Sequence, residues 1–184
     1  MNRNQVIEKL RRLDEALYFS GAFRDGARPA IVIIGGAALM LQNLSLHPVT
    51  KDIDVFRSEN LIAELLFEDS DINTQCQAFV MNIPFNFEDR LSEIPALNFR
   101  ILRVLAPSPE DLAVMKLYRW EDPDKSDLLS ETFLASLDWG LLEHLITDPD
   151  EAPASRISRP SADREYQQML RNFDEYRKLA RHGK

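Results

Sequence analysis

Near the start of the chain, Val6, Leu10, Leu13 and Leu17, with Ile7 beside them, recur at helical intervals, while Lys9, Arg11, Arg12 and Glu15 take the outward positions. This period predicts an amphipathic helix over residues 3–22. The stretch FSGAFRDGARP carries two glycines and a proline and reads as a loop. Ala30–Ile34 is a short β-branched run that stops at Gly35-Gly36, and AALMLQNL after it reads as a short helix, giving a strand–turn–helix unit. A second strand is expected over Thr50–Arg57, marked by Ile53, Val55 and Phe56. Ser58 then suits the N-cap of a helix over NLIAELLFE.

Strands are expected over Gln77–Ile83 and over Asn98–Leu105, where Phe99 and Ile101 alternate with Asn98 and Arg100. Ser108 as cap, Pro109 at the first helical position and Asp111 three residues after the cap predict a helix start, with the helix running to about Trp120. EDPDK should break it, and Ser126–Leu137 and Leu141–Ile146 read as further helices. A polar, proline-containing linker, TDPDEAPASRISRPS, precedes a last helix from Ser161, with Tyr166, Met169, Leu170, Phe173, Tyr176 and Leu179 on one face. No internal repeat is visible. The layout predicts an α/β (α+β) fold: a small mixed sheet flanked by helices over residues 1–106, with a helical C-terminal part over 107–184 packed on it.

Charge narrows the function. The net charge of −8 is uneven: residues 29–155 hold 8 Lys/Arg against 22 Asp/Glu, whereas residues 1–28 carry +2 and residues 156–184 carry +4. Such an acidic body disfavours non-specific nucleic-acid binding, which draws its affinity from phosphate neutralisation. It suits a site for a divalent cation. The basic ends read as solvated helix faces or as contacts to a polyanion. No apolar run approaches a membrane span and no secretory signal opens the chain, so no membrane association is expected and the cytoplasm is the default compartment. The single cysteine, Cys76, rules out an intramolecular disulfide and reads as a buried small side chain. His47, His144 and His182 lack the spacing of a zinc site.

Asp52-Ile53-Asp54 is the sharpest chemical feature. Side chains alternate along a strand, so carboxylates at i and i+2 emerge on one face. Two like charges held there repel each other unless a cation lies between them, and hard oxygen ligands favour Mg²⁺ or Mn²⁺. The apolar neighbours Ile53, Val55 and Phe56 place this pair on a packed strand rather than on a casual surface. Gly35-Gly36, between a strand and a helix, permits close backbone approach and offers helix-opening amides to an anion. Alone, each feature also fits an exposed strand face or a tight turn without ligand.

Joined at this spacing, Gly35-Gly36-Ala37-Ala38-Leu39 and Thr50-Lys51-Asp52-Ile53-Asp54-Val55 resemble the signature of the polymerase-β-like nucleotidyltransferase superfamily. The segment is most similar to the AbiEii/MenT-type toxin nucleotidyltransferases of bacterial toxin–antitoxin systems, as are Ser108-Pro109-Glu110-Asp111-Leu112 with Lys116, and Asp127 beyond them. The likeness covers residues 30–130. It implies transfer of a nucleoside monophosphate from an NTP to an RNA, in the toxins the 3′ end of tRNA, with pyrophosphate released. In that scheme Asp52 and Asp54 hold Mg²⁺ or Mn²⁺, Gly35, Gly36 and Thr50 belong to the nucleotide-binding turn, Lys116 neutralises the triphosphate, and Asp127 positions Lys116 or the acceptor. Such chemistry is mostly positioning and charge neutralisation. A cognate antitoxin is the protein partner it suggests; independently of the resemblance, the apolar face of the last helix packs either on the body or across a homodimer.

The chain departs from that family pattern. Gly36, Ala37 and Ala38 offer no hydroxyl where the superfamily has Ser or Thr. The expected strand for a third carboxylate, Asn98–Leu105, holds Arg100 and Arg103 but no acid, and Glu88 and Asp89 fall in an unplaced loop. The alternative is therefore a catalytically impaired relative that binds nucleotide or a partner protein.

Overall fold

The computed structural model describes residues 1–21, 23, 26, 28–58, 62, 65, 66, 69–76, 82–94, 97–148 and 162–182. The chain divides into two compact units. The first comprises Met1–Asn43, His47–Cys76 and Leu91–Ala106, and the second Leu44–Leu46, Gln77–Arg90 and Pro107–Lys184.

In the first unit, helix α1 (Arg3–Ser20) opens with a capping box: Asn2 accepts from the Gln5 N–H, and the Gln5 side chain accepts from the Asn2 N–H. It ends at Ser20, two residues before the expected end, and Gly21 caps it in the left-handed conformation. Val6, Leu10, Leu13 and Leu17 are buried, as their spacing predicts. Asp14 is buried with them. Its carboxylate accepts the backbone N–H groups of Arg100, Ile101 and Leu102 at 2.8, 2.9 and 2.9 Å. Those donors are thereby taken from a ladder, so the strand expected over Asn98–Leu105 is shorter and later, at Arg103–Ala106.

The strands are β1 (Ala30–Ile34), β2 (Ile53–Ser58), β3 (Ile72–Asn73), β4 (Ser92–Glu93) and β5 (Arg103–Ala106), in the order β3-β2-β1-β5-β4. β1 runs antiparallel to β2 and parallel to β5, β2 is parallel to β3, and β4 is antiparallel to β5, so the sheet is mixed. Central β1 buries Ile31, Val32, Ile33 and Ile34, a continuous apolar run suited to a strand covered on both faces. Helix α2 (Gly35–Leu41) follows it without a linker and packs on β1 and β2.

The second unit is helical. Helix α3 (Pro109–Arg119) starts as its sequence predicts, with Ser108 accepting from the Asp111 N–H and Pro109 in the first turn. EDPDK does not simply break the chain. Trp120 takes a left-handed turn, and Glu121 with Asp124 forms a capping box for α4 (Asp122–Leu128). Ser130 caps α5 (Glu131–Ser136), so the helix expected over Ser126–Leu137 is two short ones. Asp138 caps α6 (Trp139–Thr147), and α7 spans Ala162–His182. The buried line on α7 is Tyr166, Met169, Phe173, Tyr176 and Ala180, while Leu179, expected on that face, is 41% exposed.

The helix expected over residues 60–68 lies mostly outside the described residues, although Ile62 and Leu66 are buried. The linker over 149–161 and most of the strand expected over Gln77–Ile83 also lie outside them; Asn82 and Ile83 are not in a strand. Among the described residues, no helix is long and apolar enough to cross a membrane.

Candidate functional site

β2 buries Ile53 and Val55 and leaves Asp52 and Asp54 half-buried on either side of Ile53. Within β2 this alternation sends the Asp54 carboxylate away from the apolar face. Asp52 immediately precedes the strand, which begins at Ile53 rather than at Thr50. The Thr50 hydroxyl donates to the Asp52 carbonyl at 3.1 Å, shaping the approach to the first acid.

The glycine corner meets the second acid. Ile34, the last residue of β1, lies opposite Asp54 in the register. The next residue, Gly35, has φ +66°, and a Cβ there would stand 2.6 Å from Asp54 Oδ2. Glycine is thus required at position 35 both for the backbone conformation and for room beside a carboxylate. At Gly36 a Cβ would come within 3.1 Å of Thr50 Oγ1, so this second glycine lets the turn and the Thr50–Asp54 segment approach closely.

Two residues that sequence reasoning did not select complete this site. Asn73, on the edge strand β3, lies opposite Asp54 and donates from Nδ2 to Asp54 Oδ1 at 2.8 Å. Cys76 is buried, as expected, but it is no bystander: Sγ donates to Asp54 Oδ1 at 3.5 Å and to the Asn73 carbonyl at 3.3 Å. Burial pushes the Cys76 thiol up to about 12, helped by the charge of Asp54, by the hydrogen bond to it and by the charge of Asp52. Both carboxylates therefore bear on one thiol. No local motif links Asn73 or Cys76 to Asp54 across 19 and 22 residues of chain.

The strand beside β2 at the level of Asp54 is β3, whereas β5 pairs with β1. The expectation that Asn98–Leu105 neighbours the acid pair is corrected accordingly, and the neighbouring position is occupied by the neutral amide of Asn73. Glu88 and Asp89 lie on a 3-10 turn (Phe87–Arg90) in the second unit and are exposed. Among the described residues, no group of three or more His, Cys, Asp or Glu is gathered as a metal cage. Two hard carboxylates nevertheless fit Mg²⁺ or Mn²⁺ arriving with a triphosphate, because Mg²⁺ is commonly held by one or two carboxylates plus substrate phosphates and waters.

Lys116 and Asp127 belong to the second unit. Lys116 Nζ lies between Asp124 Oδ1 and Asp127 Oδ2, each at 2.9 Å, and all three side chains are buried. Asp127 also accepts from the Ser45 hydroxyl at 2.9 Å, and Asp124 accepts from the Arg119 guanidinium. Burial alone would raise the Asp124 carboxyl, but its bonds to Arg119 and Lys116 outweigh this and hold it below the usual carboxylate value. Arg90 grips buried Asp111, Arg103 pairs with Glu93, and Arg100 lies over the Tyr18 ring.

Comparison with known proteins yields one family. A family model described as "Nucleotidyltransferase of unknown function (DUF6036)" matches residues 8–181, nearly the whole chain. No curated protein and no solved structure matches the chain significantly.

Proposed function

The chain belongs to this nucleotidyltransferase family, and from that premise we propose that it transfers a nucleoside monophosphate from an NTP to an acceptor hydroxyl at the Asp52–Asp54 site. The observation that carries the reading is Asp54 beside Gly35, with Asp54 Oδ2 in the space a side chain would fill. Asp52 and Asp54 would hold Mg²⁺ or Mn²⁺ together with the nucleotide; the ion supplies neutralisation of the triphosphate charge. The backbone of Gly35 and Gly36 lets substrate approach closely, and Thr50 fixes the Asp52 backbone. Asn73 orients Asp54 through Oδ1, leaving Oδ2 toward the corner. Lys116, with two carboxylates already on it, is assigned to holding the helical unit together, with Asp127 as its partner.

The likeness to AbiEii/MenT-type toxins supports RNA, with the tRNA 3′ end first, as the acceptor, and a cognate antitoxin as the regulator. Incubating the protein with Mg²⁺, each labelled NTP and total tRNA tests both parts. Incorporation by the wild type and not by Asp54→Ala is the expected result; no incorporation into any RNA removes the RNA acceptor. A second reading, a binding protein without turnover, is favoured by one observation: a neutral amide stands opposite Asp54 where a base would be useful. A melting shift with Mg²⁺ and NTP but no transfer to any acceptor would decide for it.

A further inference from the structure

Beside Asp52 lies a recess of about 540 Å³ that neither the acid pair nor the glycine corner accounts for. Its volume falls within the range of small-molecule sites. It is walled by Lys51, Asp52 and the segment from Asp69 to Gln75. We infer that this recess receives the nucleoside end of the nucleotide, ribose and base, and that Thr74 and Gln75 contact it. The inference rests on the reading of Asp52 and Asp54 given above.

Charge selects which end of an NTP enters. The wall carries Asp52, Asp69 and Asp71 against Lys51. Lys9 offsets part of this, bonding Asp69 and Asp71 at 2.7 and 2.9 Å. A polyanionic triphosphate is repelled by such a wall, whereas an uncharged, hydrogen-bonding nucleoside is not. Because Asp52 belongs both to the recess and to the acid pair, a nucleoside placed here leaves its phosphates beside the pair.

The wall is also preorganised, which lowers the ordering cost of binding. Asp69 Oδ1 accepts the Asp71 N–H at 2.9 Å, Asn73 Oδ1 accepts the Gln75 N–H at 3.0 Å, and Lys9 clamps the first turn from α1. Asn73 is thereby committed at both ends of its amide, to Asp54 and to Gln75. Gln75 is exposed and Thr74 half-buried, and their side chains supply donors and acceptors suited to a base edge or a ribose hydroxyl.

The test uses the full chain, with Mg²⁺ plus each of the four NTPs and Mg²⁺ plus inorganic triphosphate as probes, read by calorimetric titration. Gln75→Ala should weaken the preferred NTP roughly three- to tenfold, the worth of one neutral hydrogen bond, and leave inorganic triphosphate unchanged. Ser70→Trp, an exposed position on the rim, should block all four NTPs and spare inorganic triphosphate. Asp54→Ala should weaken every probe. If both recess variants bind all NTPs like the wild type while Asp54→Ala does not, the recess is not the nucleoside pocket and the nucleotidyltransferase reading survives. If the wild type binds no NTP and transfers no label, both fall together.

Discussion

Two pairs of aspartates, one in each unit, show how the same side chain can be set for opposite purposes. Asp124 and Asp127 are buried with the ammonium of Lys116 between them, and Arg119 and Ser45 add further bonds. Their compensation comes from the chain itself, in keeping with the structural role proposed for them above. Asp52 and Asp54 are half-buried at the end of a glycine turn, and Asp54 Oδ1 accepts from the Asn73 amide and the Cys76 thiol. Neutral donors orient a carboxylate without cancelling its charge. Burial and the partners in reach, more than residue type or spacing, distinguish the two pairs.

The largest effect should come from removing the poised charge. Asp54→Ala should lower nucleotide transfer by about a thousandfold or more, in keeping with the loss of a group acting on charge at the reaction centre. Its melting temperature should stay near that of the wild type, because a repulsion is relieved as a hydrogen-bond acceptor is lost. Urea unfolding beside the transfer assay checks both halves. A collapse in stability would erase the contrast between the pairs.

Lys116→Met should do the reverse. Breaking a buried ion pair on one side leaves uncompensated charge and costs about 3–5 kcal/mol. Acid should expose the same network. The folded Asp124 carboxyl lies below its ordinary value of 3.8, so its contribution to stability is complete above that value and is lost as pH falls through the folded one. With Lys116 gone, the acid-unfolding midpoint, followed by circular dichroism, should move to higher pH. A Lys116→Met protein of unchanged stability that no longer transfers nucleotide would return Lys116 to the reaction and abolish the contrast.

Two glycines sharpen the comparison further. Gly26 and Gly35 both have positive φ, but a Cβ at Gly26 meets nothing within 4 Å, while one at Gly35 meets Asp54 Oδ2. Gly26→Ala should cost only the left-handed strain of about 1–2 kcal/mol and leave transfer intact. Gly35→Ala should cost more and displace the Asp54 carboxylate, lowering transfer as well. Equal losses in the two variants would mean that Asp54 is not confined by the corner.

The glycine corner and the acid pair were legible in sequence because both are local. A strand ending at Gly35-Gly36 and the period-2 alternation around Ile53 are written within a few residues. The start of α3 was legible for the same reason, its cap being satisfied three residues away. Strand order was not: β3 is a two-residue edge strand with no periodicity, so nothing near Asn73 announces that it faces Asp54. Asp14 was unreadable in the same way, since its partners are backbone N–H groups 86–88 residues distant. The division of one expected helix into α4 and α5 turned on the capping by Ser130, which a continuous apolar pattern concealed.

The most delicate test uses Cys76 as an internal probe of the acid pair. Its thiol is held up to about 12 by burial first, then by the charge of Asp54 and the bond to it, and least by the charge of Asp52. The thiolate is the species that reacts with an alkylating agent, so native Cys76 should be labelled by iodoacetamide very slowly at pH 8.5. Removing the charge of Asp54 with Asp54→Asn should lower the thiol toward its ordinary value and speed labelling. Asp52→Asn should do the same to a smaller extent, because only its longer-range charge acts on the sulfur. Burial persists in both, so each should remain slower than the unfolded protein. The order Asp54→Asn, Asp52→Asn, wild type, measured by mass spectrometry at matched stability, would place both carboxylates within reach of one sulfur. Wild-type rates in Asp52→Asn would mean that Asp52 does not act at that point, leaving Asp54 without the companion that a shared ion requires.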